Sequence, residues 1–109
     1  MSEFKEYGKF VESMKVYPYT SHIIYPALGL CGESGEVAEK IKKIIRDKGG
    51  VYTPEDKTEI LKELGDVLFY VTALSQDLGF SLGEVAENNI QKLTSRKQRD
   101  VIHGNGDNR

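Results

Sequence analysis

Tryptophan is absent from these 109 residues, cysteine occurs once and histidine twice. The lone Cys31 rules out an internal disulfide and fits a reducing compartment. It also leaves zinc without a thiolate set, and neither His22 nor His103 completes the Glu-x-x-His motif of di-iron helical bundles. Long apolar runs are missing too. The longest, "VLFYVTAL", is far too short to cross a bilayer. The first ten residues, "MSEFKEYGKF", carry acids and no apolar stretch, so a secretory leader is not expected and a cytoplasmic location is.

What is present suits one globular domain over residues 1–109. Hydrophobic residues make up 39% and charged residues 29%, a balance that supports a core without favouring disorder. Net charge is −2 but unevenly spread. Residues 90–109 carry five Lys or Arg against two Asp, and the rest of the chain is acidic. Such a chain can fold its own charges together, or hold metals on one part and phosphates on the other.

Apolar spacing and capping signals predict four helices and no strand. The first spans about Ser2 to Met14. After a connector broken by Pro18, with Thr20 or Ser21 as cap, the second begins near residues 21–26 and runs to about Lys48. Its apolar stripe is read as Ala27, Cys31, Ala38, Ile41 and Ile45, and Gly49-Gly50 ends it. Thr53-Pro54 opens a third helix, which reaches Leu78. Ser81 with Glu84 caps a fourth, running to about Lys97. A non-helical basic tail fills 98–109. The fold class expected is all-α, an antiparallel bundle of about four helices. The third helix is apolar nearly all round, with Ile60, Leu64, Val67, Val71, Leu74 and Leu78 on one side and Phe69, Tyr70 and Ala73 on the other. A helix of that kind is buried nearly all round. A homo-oligomer is therefore expected to complete the bundle.

Two acid pairs stand out. Glu33 and Glu36 lie in "LGLCGESGEVAEKIKK", and Glu63 and Asp66 in "LKELGDVLFYV". Residues three apart on a helix point within about 60° of each other, so each pair shares a face. For Glu33 and Glu36 alone a solvated face is the ordinary reading, since their face lies away from the assumed stripe and Lys40 and Lys43 are near. Asp66 leads straight into apolar sequence, where an unpaired carboxylate is costly. Four carboxylates between two helices suit a hard cation, Mg²⁺ or in its place Mn²⁺. Mg²⁺ shares its shell with substrate phosphates, and Asn89, Lys92 and Arg96, at steps of three and four, share one face of the fourth helix: by itself an ordinary solvated basic helix end, or else a counter-charge to those phosphates. Gly32, Gly35 and Gly65 beside the acids are read either as thinning the helices for a crowded site or as plain helix packing.

Together, "GLCGESGEVAEKIKK", "LKELGDVLFYVTAL" and "AENNIQKLTSRKQRDVIHGNGDNR" resemble the MazG-type nucleoside triphosphate pyrophosphohydrolases, over roughly residues 27–109. The resemblance implies an enzyme that hydrolyses a nucleoside triphosphate to monophosphate and pyrophosphate with Mg²⁺, as a dimer or tetramer. It implies Glu33, Glu36, Glu63 and Asp66 as metal-binding and catalytic residues, and Asn89, Lys92 and Arg96 as phosphate contacts. Some relatives carry an extra acid directly before the first glutamate, where this chain has Gly32. The rival expectation is a non-enzymatic helical oligomerisation or adaptor domain with solvated acid pairs. Neither nucleic acid nor membrane is an expected partner, because the acidic body would repel a phosphate backbone. Tyr17, Tyr19, His22 and Tyr25 are open either to packing or to contact with a base.

Overall fold

The computed structural model describes residues 2–108. They form four α-helices, α1 (Ser2–Met14), α2 (Ile24–Lys48), α3 (Pro54–Asp77) and α4 (Leu82–Gln98), with a short 3-10 turn at Tyr19–Ser21. No strand occurs among them. Helices α2 and α3 form the most extensive pairing, α1 and α4 both pack on α3, and α1 also meets α4.

Local chemistry explains most helix ends. Thr53 accepts from the Asp56 N–H at 3.1 Å, and the Asp56 carboxylate accepts from the Thr53 N–H at 3.0 Å. Such a reciprocal box satisfies two otherwise orphaned donors. Lys48 donates to the same Asp56 at 2.7 Å and so fastens the end of α2 to the start of α3. Ser81 and Glu84 repeat the box at α4. Gly49 closes α2 in the left-handed conformation at φ 62°, which a side chain would disfavour.

The start of α2 departs from expectation. Its cap is Ile23, not Thr20 or Ser21, and no side chain of that segment caps it. Ile23 has φ 71° and ψ −57°, and the Ile24 N–H donates to the His22 carbonyl at 2.8 Å. This is the strained form of γ-turn, costing roughly 1–3 kcal/mol at a β-branched residue. It persists because the Asp77 carboxylate accepts from the Ile23 N–H at 2.9 Å.

The inward face of α2 also differs from the predicted stripe. Ala27, Cys31, Ala38 and Ile45 are exposed. The side turned inward is Pro26, Leu30, Glu33, Val37, Ile41 and Ile44. Glu33 is thus part of the packing stripe rather than remote from it. On α3, Ile60, Glu63, Val67, Tyr70 and Leu74 are partly or largely covered at the matching spacing.

The chain alone leaves much apolar surface open. Among the described residues, only Val11, Ile44, Ala73 and Leu82 are buried hydrophobic residues apart from Pro26, while Leu61 of α3 remains 66% exposed. Its radius of gyration is 16.8 Å. A compact chain of this length would have about 13 Å.

Candidate metal centre

The inward faces of α2 and α3 bring Glu33, Glu63 and Asp66 together. One carboxylate oxygen from each lies within 4.8 Å of the other two. Glu33 and Glu63 are half-buried, whereas Asp66 is exposed at the rim. Glu36, on the outward side of α2, is exposed and stays outside this trio. It still acts on it. Burial first, then the charges of Asp66, Glu63 and Glu36, and a hydrogen bond with Glu63, push the Glu33 carboxyl above the ordinary range. Like charges this close favour either a shared proton or a cation.

One cation of the chain already approaches. Lys40 Nζ, one turn beyond Glu36, lies 3.8 Å from Glu63 Oε1. The pair is partly solvated, and a bound divalent ion would compete with it. The donor set fits a hard cation: three carboxylates, a separation that a small contraction closes to coordination distance, and a rim open to water and phosphate oxygens.

Two tyrosines feel the charge of the site. Tyr70 follows Asp66 by one turn, and burial, then Tyr25, Glu33 and Asp66, push its hydroxyl up. Tyr7 of α1 is also raised, by burial first and then by the Asp66 charge. The Tyr70 ring lies flat against α2 because Gly29 has no side chain. An alanine Cβ there would fall 2.5 Å from the ring. By contrast, a Cβ at Gly32, Gly35 or Gly65 would meet nothing within 4 Å. Within this chain those three glycines do not permit a close helix approach; Gly29, unremarked in the sequence reading, does. Its signal was available in principle, as a glycine on the inward stripe.

The predicted phosphate contacts all lie on α4. Asn89 is exposed on α4. Arg96 is only 4% exposed, and its Nη2 donates to the Asp107 carbonyl at 2.9 Å and to Asp107 Oδ1 at 3.0 Å. Lys92 donates to the same carboxylate oxygen at 3.3 Å. The two cations hold an anionic group, but it belongs to the chain's own tail.

The family model for the MazG nucleotide pyrophosphohydrolase domain matches residues 25–100. The chain belongs to the MazG family. That span takes in α2, α3 and α4, and with them all four acids of the two pairs. A curated relative, the "Gene 37 protein" of Mycobacterium phage L5, is 52% identical over 85 residues. The match covers 78% of this chain and 75% of the relative. No solved structure matches the chain. Among the described residues, no helix is long and apolar enough to cross a membrane.

Proposed function

We propose that this MazG domain hydrolyses a (deoxy)nucleoside triphosphate to the monophosphate and pyrophosphate in the presence of Mg²⁺, as a cytoplasmic homodimer or tetramer. The observation that carries the reading is the convergence of Glu33, Glu63 and Asp66 from two helices. Bound there, a divalent cation supplies positive charge against the triphosphate oxygens and the charge developing on the leaving group.

The chain's own residues do the rest. Glu33, Glu63 and Asp66 fix the site of that charge. A carboxylate of the first pair, Glu33 or Glu36, orients an attacking water or takes its proton. Tyr70 and the 45% exposed Tyr25 offer a ring face for a base or sugar beside the acids. Lys92 and Arg96 form a cation pair that already accommodates a carboxylate and suits a phosphate equally. Little covalent chemistry is asked of the protein, so positioning and electrostatics govern the rate.

The oligomer is supported by the open shape and by the uncovered Leu61, Leu64 and Leu68 on α3. A panel of standard and modified nucleotides with Mg²⁺, scored for pyrophosphate, tests the activity. No release from any of them, together with no Mg²⁺-dependent rise in melting temperature, would favour a binding or scaffold domain instead. Light scattering at micromolar concentration checks the oligomer.

A further inference from the structure

A second carboxylate is held by several donors away from the acid trio, at the end of α3. The Asp77 side chain is fully buried, and Lys15 beside it is 9% exposed. Asp77 Oδ1 accepts from Lys15 Nζ at 3.0 Å and faces His22 Nδ1 at 3.4 Å. Its Oδ2 accepts from the Tyr17 hydroxyl at 3.0 Å and from the Ile23 N–H at 2.9 Å. Every one of these donors belongs to residues 15–23, the connector between α1 and α2. One carboxylate thus sets the path of that connector, including its strained turn at Ile23.

The connector in turn sets the rings. Tyr17 stacks on Tyr25, with centroids 4.7 Å apart and planes 22° from parallel. Tyr25 lies 6.4 Å from Tyr70, the two rings tilted by 53°. Tyr70 stands one turn from Asp66. Contacts therefore run from Asp77 through Tyr17 and Tyr25 to Tyr70, whose hydroxyl feels the charges of Glu33 and Asp66. Within the chain, a carboxylate at 0% exposure with three short donors has a fold role by itself. Its connection to the ring beside the acids adds a second one.

We propose that Asp77 is a positioning residue for nucleotide recognition: acting through Tyr17 and Tyr25, it sets where the base and sugar rest relative to the acid trio. The inference rests on the triphosphate reading above. Asp77 touches neither substrate nor metal. Its influence falls on the part of the ligand that meets the rings, not on the polyphosphate.

The test compares the wild type with Asp77→Asn and Tyr17→Phe, using the full chain with Mg²⁺. Calorimetry gives the Kd for a non-hydrolysable nucleoside triphosphate analogue and for inorganic tripolyphosphate, which has no base. Steady-state assays give kcat and KM. A lost aromatic contact to a base weakens binding by about tenfold or more. Asp77→Asn is expected to raise the analogue's Kd and the substrate's KM on that scale, with kcat and the tripolyphosphate Kd held. Tyr17→Phe keeps the ring and loses one bond, so a smaller rise in the same two quantities is expected, with a melting temperature lowered less than in Asp77→Asn. If Asp77→Asn fails to fold, the Tyr17→Phe result decides. An unchanged analogue Kd overturns the inference, as does a parallel loss for tripolyphosphate. So does a wild type that binds analogue and tripolyphosphate equally. Failure of the enzymatic reading shows separately, as a wild type that binds nucleotide and releases no pyrophosphate.

Discussion

Helix α3 carries two carboxylate centres, at Asp66 and Asp77, roughly 16 Å apart along its axis. At the first, three acids crowd together and Lys40 is the cation recorded beside them among the described residues. At the second, one acid is met by a lysine, a tyrosine hydroxyl, a backbone N–H and a histidine. The residue types are the same and the surroundings are opposite. Glu33 in the first is pushed up, chiefly by burial and then by its neighbours' charge. Burial would push Asp77 up as well, but its backbone, lysine and tyrosine donors outweigh burial and hold it below the ordinary range. A satisfied carboxylate stabilises the fold. An unsatisfied cluster remains ready for an external positive charge, at some expense in stability.

The contrast predicts opposite responses to the same aspartate-to-asparagine change. Asp66→Asn should reduce pyrophosphate release by about 10³-fold or more. Because it removes a charge that repels Glu33, the melting temperature without metal should hold or rise. Full activity in that variant would end the metal-centre reading. Asp77→Asn should instead cost about 2 kcal/mol in denaturant unfolding, since it leaves the largely buried Lys15 with the more exposed Glu12 as its remaining anionic partner. Its sign with pH follows from a lowered carboxyl. The stabilisation is complete above the unfolded value, about 3.9, and is lost as pH falls through the folded one. The gap between wild type and Asp77→Asn should therefore narrow on going from pH 7 to pH 3, and a constant gap would show that charge is not the cause.

Smaller effects sharpen the comparison further. Gly29→Ala forces the Tyr70 ring off α2 and should cost about 2 kcal/mol, with the loss read from thermal unfolding. Alanine at Gly32 in a parallel variant meets open space and should cost nothing or stabilise slightly. Lys40→Met removes the cation beside Glu63. Because that pair is partly solvated, stability should change by about 0.5 kcal/mol at most. Mg²⁺ affinity, read by calorimetry, should rise. A fall would mean that Lys40 assists the ion rather than competing with it.

Helix ends were legible because their signals are local. Thr53-Pro54, Ser81 with Glu84, and Gly49 each satisfy orphaned backbone groups within a few residues. The third helix ends at Asp77, one residue short of the expected Leu78. The facing of α2 was less legible. A stripe assembled from apolar residues alone skips Glu33, whose carboxylate sits within the buried side because three acids gather there. The result shifted the stripe onto Ala27, Cys31 and Ala38, which face outward. The cap of α2 was hidden for a related reason: its partner, Asp77, is 54 residues away, and no local pattern announces a donor or acceptor at that range. The grouping of Glu33 with Glu63 and Asp66 is visible in their spacing only once two helices are assumed to be neighbours. That Lys92 and Arg96 would clasp Asp107 was legible only as a general charge balance in the last twenty residues.

Cys31 stands exposed on α2, two residues before Glu33, and the chain has no other thiol. A nitroxide or fluorophore attached to it would label one position without any prior mutagenesis. With Mn²⁺ as a paramagnetic ion, the spin label becomes a ruler that reports arrival of the cation independently of turnover.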